Sequence, residues 1–231
     1  MVGETRVLTN EELEALSVAF GVLGRLMYEE PRDGMVDDLA ASRALLTGEP
    51  FVSVAPEAAR SLYDELAAYA VDPARLETYR QDRAFLFYQV SVSRTSPYES
   101  VYRTEDRTLF GPTTAQVKAD FARHGLAVAS GHNEPCDHFG LECAYLARVA
   151  GAGAAGGAEE AAGATAELRR FLGEHMLVFA PVYLANVEVQ ATTGLYRSAA
   201  VLARDVLTWA AGLMGATAVE RLDPADYPLR I

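Results

Sequence analysis

The stretch NEPCDHFGLECAYLA, residues 133–147, places two cysteines, one histidine and three carboxylates within fifteen residues. The whole chain has only two cysteines and four histidines. Because proline suits the first turn of a helix, the stretch predicts a helix that runs from Pro135 to about Val149. Its apolar residues recur at spacings of three and four, which indicates one face buried in a core. This face carries Cys136, Phe139, Cys143, Leu146 and Ala150.

The two cysteines of this stretch are predicted to be core residues. Seven helical residues separate them by about 10.5 Å along the axis, whereas a disulfide needs Cα atoms within about 7 Å. Buried free cysteine packs as a small hydrophobic residue. A chain of 231 residues with two cysteines has no disulfide framework, which favours a reducing compartment.

The polar residues of the stretch have two interpretations. His138 and Glu142 are i, i+4 neighbours and lie off the apolar stripe. Asp137 lies near the expected helix N-terminus, where a carboxylate is stabilised by the helix dipole. The structural interpretation is a capping Asp137 and a half-buried, hydrogen-bonded His138. The functional interpretation is a binding site, because the preceding polar loop, residues 129–135, predicts that these side chains face open space.

Nothing in these residues demands an enzyme, and the sequence predicts no metal and no catalytic residue. A zinc site needs three or four ligands at defined spacings, and the chain contains no Glu-x-x-His or G-x-S-x-G motif. The glycines of residues 151–156 spell G-x-G-x-x-G, but a helical pattern precedes them where a dinucleotide site requires a strand. The alternative is a small all-α metal-dependent hydrolase that uses His138 and Glu142 as an acid–base pair.

Helical periodicity dominates the rest of the chain. Thr9 and Glu12 form a capping-box pattern that opens an apolar helix. A second helix follows Pro56, a third is predicted from about Pro73 to Val90 with Asp72 as its N-cap, and a last one covers residues 195–213. Sustained period-2 alternation is nearly absent. We therefore predict an all-α fold, a single globular helical domain of roughly eight to ten helices.

Two segments interrupt the pattern. Residues 92–112 form a long connection, of a length that is often functional. Residues 151–163 consist only of glycine, alanine and glutamate and are predicted to be a flexible linker. We expect one domain over residues 1–231, with an N-terminal lobe of about 1–131 and a C-terminal lobe of about 132–231. Such a linker permits either a monomer or a domain-swapped dimer.

Charge and hydropathy restrict the partners and the location. The net charge is −12 and Lys118 is the only lysine, which argues against nucleic acid and favours a cationic partner. No stretch approaches the ~20 apolar residues of a membrane span, and the first residues lack a signal-peptide pattern. These features predict a cytoplasmic protein.

Three motifs, in order, resemble one known family. EPCDHFGLECAYL (134–146) resembles the E-P-x-D-H-x-x-x-E-x-x-[FY]-L segment of the TorD/DmsD/NarJ family of redox-enzyme maturation chaperones. SPYESVY (96–102) resembles its PYESVY loop, and FLGEHMLVFAP (171–181) resembles its FL-x-x-H-L-x-x-W-x-P helix, with phenylalanine in place of tryptophan. The resemblance covers about residues 79–207, and the TorD and DmsD branches are more similar than NarJ.

The resemblance implies a TorD-like fold and a function. Proteins of this family are cytoplasmic chaperones that bind the twin-arginine signal peptide of a molybdenum- or iron–sulfur-containing reductase. They hold the apo-form of the molybdopterin-dependent catalytic subunit until its cofactor is inserted. Weak GTP binding is implied by the resemblance alone, and no other cofactor is expected.

The resemblance also implies a peptide-binding site of acidic and aromatic side chains. Carboxylates match the forked donors of arginine, and aromatic walls match the apolar middle of a leader. The expected binding residues are Tyr98, Glu99, Tyr102, Glu134, Asp137, His138, Glu142 and Tyr145.

Overall fold

The computed structural model describes residues 6–31, 34–88, 95–128 and 134–227, and in these ranges the backbone forms helices and no strand. The all-α prediction is confirmed. Ten α-helices in these ranges have five residues or more: α1 (Asn10–Tyr28), α2 (Met35–Ala41), α4 (Pro56–Val71), α5 (Arg75–Arg83), α6 (Glu99–Arg103), α7 (Pro112–Arg123), α8 (Phe139–Ala155), α9 (Ala158–Phe171), α10 (Leu177–Gln190) and α11 (Gly194–Met214). A further segment, α3 (Phe51–Val54), is a single turn, and π-helical turns follow α5 (Ala84–Tyr88) and α9 (Leu172–Met176).

Helix α1 begins at the predicted capping box. The Thr9 hydroxyl accepts a hydrogen bond from the Glu12 N–H at 3.2 Å, and the Glu12 carboxylate accepts one from the Thr9 N–H at 2.9 Å. The apolar face of α1 is fully buried, including Leu16 and Phe20. Helix α1 is therefore a central element of the core.

Helices α1 and α8 are in backbone contact. A Cβ atom on Gly140 would lie 2.8 Å from the Tyr28 nitrogen, and one on Gly24 would lie 3.2 Å from the Ala144 nitrogen. The Ser17 hydroxyl donates to the Ala147 carbonyl at 2.9 Å. A side chain at Gly140 would push the two helices apart, so this glycine allows the start of α8 to lie against the end of α1.

The predicted helix of the opening stretch starts later than expected. Helix α8 begins at Phe139, so Pro135 and Cys136 precede it, and His138 is its N-cap. The helix continues to Ala155, beyond the predicted end at Val149. The predicted stripe is confirmed from Phe139 onward, where its residues are 0% exposed: Phe139, Cys143, Leu146 and Ala150. Both cysteines are free.

The prediction of a flexible linker over residues 151–163 is wrong. Helix α8 covers its first part and α9 covers the rest from Ala158, so only Gly156 and Gly157 separate the two helices. The small residues serve packing, because a Cβ atom on Gly153 would overlap the Ala164 methyl group. The glycines and alanines that predicted a flexible linker instead allow α8 and α9 to pack closely. The boundary between two lobes remains a prediction.

The helix predicted from Pro73 is also shorter than expected. Its N-cap is Ala74, whereas Asp72 is the C-cap of α4 and accepts a hydrogen bond from the Ala74 N–H at 3.3 Å. After Arg83 the chain forms a π-helical turn through Tyr88. The predicted end at Val90 lies outside the described residues.

The long connection predicted over residues 92–112 contains helix α6 within its described part. The last predicted helix is confirmed as α11. No helix in the described ranges combines the length and apolar character that a membrane span requires.

Candidate functional site

The PYESVY and EPCDH motifs meet at the start of α8. Tyr98 and His138 form an isolated antiparallel bridge. The Glu99 N–H donates to the Asp137 carbonyl at 2.9 Å, and the Phe139 N–H donates to the Pro97 carbonyl at 2.7 Å. Two motifs that are distant in the sequence thus form one structural unit.

Asp137 is an internal cap for helix α6. Its carboxylate accepts a hydrogen bond from the Ser100 N–H at 2.7 Å and another from the Thr114 hydroxyl at 2.8 Å. Ser100 lies in the first turn of α6, where N–H groups lack partners within the helix. Asp137 is 0% exposed. The prediction that it faces open space is therefore wrong, and the capping interpretation holds for α6 rather than for its own helix.

His138 is also buried, at 1% exposure. Its Nδ1 accepts a hydrogen bond from the Gly140 N–H at 3.0 Å, which makes it the N-cap of α8. The rings of Tyr28 and Tyr98 lie edge-on to the imidazole, with centroid distances of 5.2 and 5.1 Å. Burial lowers the pKa of His138 to about 3, so the ring is neutral at neutral pH. The expectation that His138 is open to a ligand is wrong.

Glu142 has a carboxyl group buried in the core. The residue is 0% exposed, and neither carboxylate oxygen has a hydrogen-bond partner among the described residues. Burial first, and then the nearby carboxylates of Glu99 and Asp137, raise the pKa of Glu142 well above its usual value. Its only bond to His138 joins backbone atoms. The acid–base pair that the hydrolase alternative requires is therefore not assembled.

Glu99 belongs to a buried ionic network between α6, α7 and the second π-helical turn. Its carboxylate contacts His175 Nδ1 at 2.8 Å and Arg103 at 2.7 Å. The other imidazole nitrogen lies 3.4 Å from Asp120, which Arg170 contacts at 2.9 Å. The network fixes the position of α6 and occupies the carboxylate of Glu99.

The tyrosines predicted beside Glu99 are interior residues. Tyr102 is 5% exposed and donates to the Ser96 carbonyl at 2.9 Å. Tyr145 is 1% exposed, and its hydroxyl donates to Glu167 at 2.6 Å. Of the eight predicted binding residues, six are buried: Glu99, Tyr102, Asp137, His138, Glu142 and Tyr145. These six residues belong to the interior beneath the candidate site.

The remaining two predicted residues, Tyr98 and Glu134, are half-buried and reach the surface together. The Glu134 carboxylate accepts hydrogen bonds from the Tyr28 hydroxyl at 2.7 Å and from the Tyr98 hydroxyl at 3.4 Å. Within the described ranges, no cationic side chain contacts Glu134. We call these three residues the Tyr–Glu–Tyr clamp. Tyr28 was missed by the sequence reasoning because it lies on α1, far from every motif.

A mostly apolar groove adjoins the clamp. Its volume is 380 Å³, and it lies between the start of α8, the end of α7 and the segment that follows α7. The clamp residue Tyr28 also lines this groove. The lining residues are Tyr28, Phe121, Leu126, Ala127, Val128, Leu141, Ala144, Tyr145 and Arg148. Sequence reasoning identified only Tyr145 among them, since the segment after α7 carries no periodic pattern.

A buried arginine, Arg83, was also missed. It is 1% exposed, donates to the carbonyls of Met27 and Tyr28 at the end of α1, and lies over the ring of Tyr88. Its nearest carboxylate is Glu30, at 3.4 Å. Arg83 thus supplies the C-terminal cap that positions Tyr28.

A polar cavity of 410 Å³ is lined in part by His175. Its three arginines are Arg103, Arg123 and Arg170, and each contacts a carboxylate. These guanidinium groups are therefore already neutralised. Among the residues that the structure describes, no group of three or more histidine, cysteine or carboxylate side chains is arranged to hold a metal ion.

Comparison with known proteins agrees with the motifs. The family described as "Nitrate reductase delta subunit" matches residues 54–185, which include both motifs at the site. The chain is 31% identical over 121 residues to the chaperone protein TorD of Vibrio cholerae serotype O1 strain ATCC 39541, and 30% identical over 121 residues to that of strain M66-2. Each alignment covers 51% of this chain and 54% of the relative, so the chain spans about half the length of the curated relatives it matches. Since the family match extends over more than half of the sequence, the chain belongs to the nitrate reductase delta subunit family, which is the TorD/DmsD/NarJ family indicated by its motifs.

Proposed function

We propose that this protein is a cytoplasmic chaperone that binds the twin-arginine signal peptide of a molybdenum- or iron–sulfur-containing reductase. In this proposal it holds the apo-form of the catalytic subunit until the cofactor is inserted, before export. Family membership and the chaperone names of the relatives support a role in redox-enzyme maturation. The observation that carries the peptide-binding proposal is the apolar groove that adjoins a carboxylate with no cationic partner among the described residues.

The chemistry of this surface matches the two parts of a leader. A twin-arginine leader is cationic at one end and apolar along its middle. Phe121, Leu126 and Leu141 provide apolar contacts in the groove, and Glu134 provides negative charge next to it. The net charge of −12 adds a long-range attraction for a cationic peptide.

The leader-binding surface differs from the one expected from the motifs. Asp137 caps α6 and His138 caps α8, and the burial of these two residues and of Glu142 removes all three from direct contact with a peptide. Their role in this proposal is to position Tyr98 and Glu134. The hydrolase alternative is disfavoured, because Glu142 has no side-chain bond to His138.

Calorimetric titration with a synthetic leader peptide tests the proposal. We expect binding with a dissociation constant of about 50 μM or tighter, near −6 kcal/mol. Ala144→Arg places a charge in the exposed wall of the groove and is expected to weaken binding at least tenfold. Ala152→Arg is the matched control, since Ala152 is an exposed alanine of α8 outside the groove. Absence of leader binding by the wild-type protein would contradict the proposed function. Equal affinities for the two variants would contradict the assignment of the groove.

A further inference from the structure

Among the described residues, the carboxylate of Glu134 has no cationic partner. It is half-buried, and its hydrogen bonds come from the neutral hydroxyls of Tyr28 and Tyr98. A carboxylate gains more from a cationic partner as it loses contact with water. In the described part of the chain none contacts it, whereas neighbouring Glu29 is paired with Arg25 at 3.1 Å. The described residues therefore leave the Glu134 carboxylate without a cation to pair with.

The surroundings of Glu134 favour a flat cation. The rings of Tyr28 and Tyr98 both pack edge-on against His138, and their hydroxyls both donate to the Glu134 carboxylate, so this carboxylate has two aromatic neighbours. Guanidinium groups stack on aromatic rings and bind carboxylates with two parallel N–H donors. The nearby cation, Arg83, is buried and engaged by backbone carbonyls and Glu30, so it does not neutralise Glu134.

We infer that the Tyr–Glu–Tyr clamp is a receptor for a single guanidinium group, supplied by one arginine of the leader. This inference rests on the proposed function and assigns a place to one part of the peptide. Tyr28 belongs to both the clamp and the groove, so the apolar segment of the leader enters the groove directly after the bound arginine. One carboxylate accepts one guanidinium, and the second arginine of the pair remains outside the clamp.

The inference predicts discrimination between arginine and lysine. An ammonium group is a compact charge without the planar fork, so it neither stacks flat on an aromatic ring nor donates two parallel hydrogen bonds. A peptide in which the clamped arginine is replaced by lysine keeps its charge and its apolar segment. We expect it to bind the wild-type protein about tenfold more weakly.

The test is a titration of two proteins with two synthetic peptides. One peptide carries an Arg-Arg pair ahead of an apolar stretch, and the other carries Lys-Lys. Glu134→Gln keeps an acceptor for the Tyr28 hydroxyl but removes the charge, and it is expected to weaken Arg-Arg binding about tenfold. In this variant the two peptides should bind almost equally, because the group that distinguishes them is absent. Glu29→Gln is the matched control, since Glu29 is already paired, and it should change the affinity less than twofold.

The outcomes separate this inference from the proposed function. If the Arg-Arg peptide binds the wild-type protein and the Glu134→Gln protein equally well, the clamp is refuted and leader binding stands. If the wild-type protein binds neither peptide, the proposed function itself fails. Tyr98→Phe and Tyr98→Leu provide a second comparison, because the first keeps the ring and the second removes it. A loss with Leu but not with Phe supports ring stacking, and equal affinities refute it.

Discussion

Replacing Asp137 with alanine is expected to lower the free energy of unfolding by about 3 kcal/mol. The substitution removes both acceptors that the carboxylate provides, at Ser100 and at Thr114. The site is fully buried, so water does not replace them. A stability defect of this size is the expected signature of an internal cap, in contrast to the loss of about 1 kcal/mol or less that a surface position would give.

The magnitude follows from three contributions. A buried N–H left without an acceptor costs about 1–3 kcal/mol, and this applies to Ser100. The hydroxyl of Thr114 loses a charge-assisted bond, but it can rotate, which limits its cost to about 1 kcal/mol. The third contribution opposes the other two. Removal of the Asp137 charge lowers the free energy needed to ionise Glu142, which offsets part of the lost stability. Asp137→Asn retains one acceptor and should cost about 1–2 kcal/mol.

Urea denaturation at neutral pH measures these differences, and thermal unfolding should show a decrease of about 6–12 °C for the alanine variant. Asp64→Ala is the control. Asp64 also has its carboxylate in contact with a donor, Arg60 at 3.0 Å, but both side chains are exposed, so the expected loss is about 0–1 kcal/mol. Hydrogen exchange at the Ser100 amide should accelerate in the Asp137 variants, since that amide loses its acceptor.

The reasoning is refuted if Asp137→Ala costs no more than Asp64→Ala. It is also refuted if stability falls while exchange at the Ser100 amide is unchanged, because the loss would then arise elsewhere. If leader affinity per folded molecule falls with Asp137→Asn, we expect the cause to be a displaced α6. Reverting the substitution should then restore the affinity.

Four further predictions concern the core and the binding surface. Because burial raises the pKa of Glu142, the wild-type protein loses stability as pH rises above about 4.5, and Glu142→Gln, which lacks this titration, should gain relative stability between pH 5 and pH 8 in urea denaturation. Cys143→Ser introduces a buried hydroxyl and should cost about 1–3 kcal/mol in the same assay, without changing leader affinity per folded molecule. Gly140→Ala should lower the melting temperature and weaken leader binding together, because the new Cβ atom forces Tyr28 away from α8. Leader affinity in calorimetry should fall several-fold between low and high salt, since exposed charge pairs are screened beyond about 8–10 Å, and an unchanged affinity would assign recognition to the apolar groove.

Elements with a strong apolar period were predicted correctly from the sequence. Helices α1, α4 and α11 have long stripes and clear start signals, so local information was sufficient. Residues 151–163 were mispredicted because glycine and alanine weaken a helix in isolation, whereas here they allow close packing of α8 on α9. Tertiary contact therefore overrode the local propensity.

The candidate site was only partly predictable for a similar reason. The motifs correctly joined residues 96–102 to residues 134–146, and Glu134 and Tyr98 do reach the surface. The burial of Asp137 depends on donors 23 and 37 residues earlier in the chain, which a local pattern does not reveal. Tyr28 contacts Glu134 across 106 residues of sequence and could be identified only in the folded structure.

The backbone contact between α1 and α8 has a consequence for synthesis of the protein. Ser17 and Ala147 are 130 residues apart in sequence, so α1 leaves the ribosome well before its main partner has been made. At a synthesis rate of about 5–20 residues per second, α8 is completed on the order of ten seconds after α1. The apolar face of α1 lacks this partner during that time. During this interval the nascent chain exposes the residues that later form its own core, including Leu16 and Phe20. A protein of this architecture is therefore expected to be a client of the chaperones that act on nascent chains.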